Sequence, residues 1–160
     1  MGAVATLAYT DSYPAQLDVL ELRAWRGLLR THASLVKALD GELETEHGLP
    51  LTSYEVLLYL DGADECRMRM CDLADSISLS RSGLTRLVDR LERDGLIQRV
   101  SCPHDARGAY ATLTAHGQAK LTAARVTHHQ GVRRHFLERF SPAELEVLAG
   151  CWERIAPPCC

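Results

Sequence analysis

The sequence predicts a mostly α-helical protein with two short helices and one β-hairpin in its interior. Three observations carry that expectation. Leucines recur at helical rather than alternating spacing. Hydrophobic residues make up 46% of the 160 and aromatics 6%, and the β-compatible stretches cluster around one "PHDARG" turn. A chain of this length supports one domain with a real core, not two comfortable ones. The start, "MGAVATLAYTDSYPAQ", lacks the basic flank and apolar run of a signal peptide, and no stretch approaches the roughly 18 apolar residues of a membrane span. A cytoplasmic location without membrane contact is therefore expected. In that setting the six cysteines read as reduced thiols, not a disulfide framework.

Residues 1 to 16 have no clear period and contain Asp11, Ser12 and Pro14, which reads as an arm. From Leu17 onward Leu20, Trp25, Leu28, Leu29, Val36, Leu39 and Leu43 keep helical steps to about His47, where Gly48 and Pro50 stop the helix. Thr52 or Ser53 can cap a second helix, with Val56, Leu57 and Leu60 on its buried side and Gly62 at its end. "DECRMR" reads as a connector. A short helix follows from about Met70 to Ser76, and another from near Ser80 to Asp94-Gly95. "LIQRVSC" and "AYATLT" then suit hairpin strands, with proline, aspartate and glycine at the tip. A long helix is expected from about Ala115 to Phe140, weakly interrupted by Gly131. Ser141, Pro142 and Glu144 are the cap, first-turn proline and first-turn acid of a last helix to about Ile155.

Within the helix that starts near Ser80, Leu84, Leu87, Val88 and Leu91 fall at i, i+3, i+4 and i+7 and make one buried stripe. The opposite face carries Arg81, Ser82, Thr85, Arg86, Asp89, Arg90 and Arg93, although the chain has a formal net charge of −3. The arginines are gathered locally, not drawn from a uniformly basic surface. Such a helix fits a major groove about 12 Å wide, where arginine binds guanine bidentately and Ser or Thr meets phosphates or base edges. The plainer alternative is a solvated face on which Asp89, Glu92 and Asp94 pair with those arginines. The hairpin downstream shifts the balance. It offers Arg107 near its tip, suited to a narrow minor groove, with Asp105 two residues earlier to orient it. An ordinary turn with a surface ion pair would be worth little and leaves the helix-helix-hairpin order unexplained. Together these elements favour a winged helix-turn-helix.

Residues 72 to 117, "DLADSISLSRSGLTRLVDRLERDGLIQRVSCPHDARGAYATLTAHG", resemble the MarR family of bacterial transcriptional regulators, through "TRLVDRLERDGLI" followed by D-x-R and LT-x-x-G. The likeness extends over residues 17 to 156. It implies a homodimer on a pseudo-palindromic double-stranded DNA operator, acting as a repressor. The chain then divides into an arm (1–16), a dimerisation helix (17–50), a winged helix-turn-helix lobe (51–114) and C-terminal dimerisation helices (115–160). Half-sites about 34 to 36 Å apart match one turn of DNA and a two-fold protein. Residue by residue, the resemblance places Ser80, Arg81, Ser82, Thr85, Arg86 and Arg90 on the recognition helix, and Asp105 and Arg107 on the wing.

The resemblance also implies release from DNA by a small aromatic or phenolic effector, with Trp25, His32, Tyr54 and Tyr59 as candidate pocket residues; singly, each aromatic at helical spacing also reads as core. Such an effector must favour one of two states of the lobe. Thiol sensing is an alternative, with Cys102 at the wing and Cys159 and Cys160 at the chain's end. Metal sensing is another, since Glu46-His47 and His128-His129 resemble part of the zinc site of metal-responsive family members. Neighbouring histidines on a helix diverge by about 100°, so no metal set is assigned and no cofactor is expected. No nucleophile elbow, Walker loop, dinucleotide fingerprint or HExxH motif points to an enzyme. A protein-interaction module without DNA binding is the rival of a different class.

Overall fold

A computed structural model describes residues 16–77, 79–102 and 105–155, the side chains of residues 102 and 105–108 excepted. The chain divides into two units, residues 1–33 and 34–160. Helix α1 (Val19–His47) begins in the first and ends in the second. The second unit continues through α2 (Leu51–Gly62), β1 (Arg67–Arg69), α3 (Met70–Ser76), α4 (Arg81–Arg93), β2 (Ile97–Cys102), β3 (Asp105–Leu113), α5 (Ala115–His135) and α6 (Pro142–Ile155). Its core joins Leu43 of α1 to Val56, Leu57 and Leu60 of α2, Leu73 of α3, Leu84, Val88 and Leu91 of α4, and Leu121 and Ala124 of α5. The expected class holds: a mostly helical winged helix-turn-helix with a small antiparallel sheet.

The sheet has a strand the sequence reading missed. "DECRMR" was expected to connect, yet its last three residues form β1, which pairs with β3 so that the strand order is β1-β3-β2. The register sets Met68 opposite the buried Ala111, and Arg67 and Arg69 opposite Thr112 and Tyr110. Three residues are too few to display a period of two. The pairing partner is distant in sequence, so tertiary context decides.

Helix α2 starts earlier than its hydroxyl residues suggest. Pro50 precedes it with φ −53°, and the Leu51 N–H donates to Asp40 Oδ1 of α1 at 2.8 Å. Proline's preset φ and a tertiary acceptor thus replace a local cap, and Ser53 is left buried for another use. Helix α5 stops short of the expected Phe140, because Phe136 breaks it at φ −128°, ψ −66° and a 3₁₀ turn, Leu137–Arg139, follows. Gly131 does not interrupt it. A Cβ there would lie 2.5 Å from Glu42 Oε2 and 2.7 Å from Leu39 Cδ2, so the glycine permits the close approach of α1 and α5. Beside it the Glu42 carboxyl accepts from His135 at 2.7 Å and from Arg134 at 2.8 Å.

The start of α6 matches the expected capping box: the Glu144 N–H reaches Ser141 Oγ and the Ser141 N–H donates to Glu144 Oε2 at 2.8 Å. At the start of α5, Thr114 accepts from the Gly117 N–H at 3.0 Å, while its own hydroxyl faces the carbonyls of Gly95 and Leu96 at 2.7 and 3.0 Å. The Thr114 N–H also donates to the Leu96 carbonyl at 3.1 Å, and a Cβ on Gly117 would lie 2.0 Å from that oxygen. The two ends of the hairpin are therefore tied together at its base. Among the described residues, no helix is long and apolar enough to cross a membrane.

Candidate nucleic-acid interface

Helix α4 is set by its cap and its apolar stripe. Ser80 adopts φ −63°, ψ 151°, and its Oγ accepts from the Gly83 N–H at 3.1 Å. It therefore serves as N-cap, at the helix end whose dipole and unpaired amides attract anions. Leu84, Leu87, Val88 and Leu91 are all buried, which turns Arg81, Ser82, Thr85, Arg86 and Arg93 to solvent. The Thr85 hydroxyl folds back onto the Arg81 carbonyl at 2.9 Å. The guanidinium groups of Arg81, Arg86 and Arg93 have no hydrogen bond or ion pair among the described residues.

The carboxylates of α4 are not what neutralises its arginines. Asp89 and Glu92 are instead taken by Arg99 of β2, whose Nη2 meets Asp89 Oδ1 and whose Nη1 meets Glu92 Oε2 at 2.9 Å. Pairing within α4 is the alternative to a DNA-facing surface. Arg99 takes Asp89 and Glu92 out of that competition, and Asp94 forms no ion pair with an arginine among the described residues. The signal for Arg99 was available in the alternation of the strand: Ile97 points inward, Gln98 outward, and Arg99 falls on the inward register where a charge needs partners. Arg90, assigned by resemblance to the DNA face, donates from Nη2 to the buried Ser53 Oγ of α2 at 2.8 Å. Its charge lies on the flank of α4 that meets α2.

Backbone pairing carries the wing to its end, with Cys102 opposite Asp105 and an irregularity between Ser101 and Cys102. The backbones of Asp105 and Arg107 lie in β3; the side chains of these two and of Cys102 lie outside the described residues, as do Cys159 and Cys160. On the sheet's outer face, Arg67 and Arg69 approach the Tyr110 ring at 5.2 and 5.7 Å from its centroid.

The four candidate pocket residues do not share one environment. Tyr54 is core, stacked on His128 with ring centroids 4.6 Å apart. Tyr59 is 43% exposed on the outer side of α2, Trp25 is 52% exposed on α1, and His32 is exposed as well. A cleft of about 290 Å³ at the base of α4 is lined by other side chains, among them Glu44, Ser53, Arg90, Asp94, His116 and Lys120.

Burial pushes the His128 imidazole below its ordinary range, with the neighbouring His129 charge adding to the effect, and its Nδ1 is buried without a hydrogen-bond partner among the described residues. Glu46 and His47 are joined through Thr127, which lies 2.8 Å from each. Among the described residues no three His, Cys, Asp or Glu side chains are grouped to hold a metal ion. Cys66, Cys71 and Cys151 are free thiols.

Comparison with known proteins agrees with this geometry. Residues 47–108 match the model of the MarR family. The chain is 34% identical to AbsC, a MarR family transcriptional regulator from Streptomyces coelicolor, with a TM-score of 0.81 over 88% of this chain and 95% of that one. It is 31% identical to a second MarR family regulator of Streptomyces coelicolor, solved in complex with DNA, with a TM-score of 0.83 over 91% of each chain. The homoprotocatechuate degradative operon repressor of Escherichia coli is 32% identical over 88 residues, which span 55% of this chain and 58% of the repressor's length. With the helix-helix-hairpin order, the stripe of α4 and a likeness running the length of solved relatives all in agreement, the chain belongs to the MarR family of transcriptional regulators.

Proposed function

We propose that the chain is a cytoplasmic, operator-binding repressor that works as a homodimer. The observation that carries this reading is the outer face of α4, where the guanidinium groups of Arg81, Arg86 and Arg93 have no partner among the described residues while the Asp89 and Glu92 carboxylates are held by Arg99. An arginine face relieved of its own acids is suited to phosphates and guanine edges. Ser80, Ser82 and Thr85 contribute at the helix start, Arg90 from its flank, and Arg107, oriented by Asp105, enters the flanking minor groove. The named relatives, one an operon repressor and one solved with DNA, support the same assignment.

Dimerisation is supported by apolar side chains that residues 17–50 and 115–160 leave in water: Leu20, Leu28 and Leu29 on α1, and Val147, Trp152 and Ile155 on α6. Residues 51–114 form the DNA-reading lobe; the arm expected over residues 1–16 lies, but for Gln16, outside the described residues. A small aromatic or phenolic effector releases the operator by favouring a lobe spacing that no longer fits it.

The test is a fluorescence-anisotropy titration against the DNA upstream of the chain's own gene and a scrambled duplex, at two salt concentrations. The upstream DNA should bind preferentially, with log K falling by roughly 0.9 per phosphate contact per log unit of salt. Arg107→Ala should weaken that binding more than Arg93→Ala, which lies at the end of α4. Equal, weak binding to both duplexes and to a random-sequence pool would sink the reading and leave the arginine face to a protein partner.

A further inference from the structure

Arg99 is the residue through which the wing holds the recognition helix. It lies on the inward register of β2, and its side chain is only 29% exposed. A guanidinium in that position is costly unless its donors are satisfied, and all of its recorded partners come from α4. Nη1 donates to Glu92 Oε2 at 2.9 Å, and Nη2 donates to Asp89 Oδ1 and, at 3.3 Å, to the Thr85 carbonyl. The Arg99 N–H donates to Glu92 Oε1 at 2.9 Å, so one residue engages both oxygens of that carboxylate. At about 100° per residue, Thr85, Asp89 and Glu92 share one flank of α4, and Arg90, bound to Ser53, lies on the other. The helix is pinned on both sides, to α2 on one and to the wing on the other.

We propose that Arg99 is a positioning residue: it fixes the angle between α4 and the hairpin, and so sets the spacing at which the major-groove and minor-groove contacts fall on one operator. It does this without touching DNA, since both terminal nitrogens are engaged by α4. The same contacts neutralise Asp89 and Glu92, which would otherwise repel phosphates beside Arg86 and Arg93. A lysine cannot substitute fully, because a single ammonium does not span two carboxylates and a carbonyl as the planar fork does. The inference rests on the operator-binding reading above.

The experiment uses the full chain and a duplex that it selects from a random-sequence pool. A second duplex carries one base pair inserted between each major-groove half-site and its flanking minor-groove segment. The wild-type chain should prefer the first duplex by about tenfold or more, in line with the 1 to 3 kcal/mol typical of one mis-set base pair. In Arg99→Gln that ratio should fall toward one, and Arg99→Lys should lie between. Partly unfolded protein lowers the bound fraction on both duplexes alike, so the ratio isolates positioning from folding. A wild-type ratio retained in Arg99→Gln overturns the proposal. A wild-type chain that selects no sequence overturns the operator reading and this inference with it, whereas selection with an unchanged ratio overturns this inference alone.

Discussion

Helices α4 and α6 are nearly equal in length, 13 and 14 residues, and both begin with a serine cap, yet α4 buries four side chains and α6 buries none. Val147 and Ile155 of α6 remain 69% and 73% exposed. The difference lies in what faces each helix. The stripe of α4 shares one core with Val56, Leu57, Leu73 and Ala111 of its own lobe, and each large side chain removed from water contributes roughly 1.5 to 3 kcal/mol. Amphipathic spacing states that a helix has a side to bury. Whether the same chain supplies the surface is a separate matter, and a contiguous exposed apolar face marks an interaction site.

The sharpest way to break this contrast is Leu84→Ala, which opens a cavity in the fully packed side of α4 and should destabilise the chain by about 3 kcal/mol in urea unfolding. A loss no greater than that of Val147→Ala would remove the distinction between the two helices. On the opposite face of α4, Arg86→Ala should cost about 2 kcal/mol of operator affinity with the unfolding midpoint unchanged. A drop in stability instead would mean that the arginine is structural.

Acid should act on the packed lobe. Because burial lowers the folded-state value of His128 below its ordinary 6.5, the unfolded chain takes up the proton first. The contribution of His128 is whole above pH 6.5, declines as pH falls toward the folded-state value, and levels off below it. The slope cannot exceed about 1.4 kcal/mol per pH unit for one group. Urea midpoints between pH 7 and 5 should flatten in His128→Phe, and an unchanged slope would assign the acid sensitivity elsewhere. Glu42, held below its ordinary 4.5 chiefly by His135 and also by Arg134, loses its contribution only at lower pH.

The smallest effect on unfolding is expected from Ile155→Ser, within about 0.5 kcal/mol where the chain is monomeric, as for other exposed positions. The same change should weaken self-association in sedimentation. A stability loss without any change in association would mean that α6 packs within its own chain.

The elements visible in the sequence are those whose signals are local. A four-residue apolar stripe with a serine before it identified α4, a Ser-x-x-Glu box identified the start of α6, and a Pro-Asp-Gly cluster between two β-compatible stretches identified the hairpin. What escaped depends on partners far along the chain. Strand β1 exists because β3 pairs with it, α2 begins where Asp40 reaches Leu51, and Ser53 is taken from capping by Arg90. Of the site, the outward arginines of α4 were legible from periodicity alone. For Arg99, strand alternation marks only an inward position; its partners lie seven to fourteen residues earlier on another element. Tyr54, spaced like any helical aromatic, is consumed by the core.

The tie at the base of the hairpin has a consequence for how such a protein diversifies. Thr114 bonds to the Gly95-Leu96 turn, and Gly117 lies flush against the Leu96 carbonyl, so the ends of the excursion are closed whatever happens between them. Since each doubling of a closed loop's length costs only about 0.6 kcal/mol, residues can be inserted or exchanged beyond Ser101 with little effect on the lobe below. The wing is a cartridge: its reach and chemistry are open to change, while the socket that receives it is not.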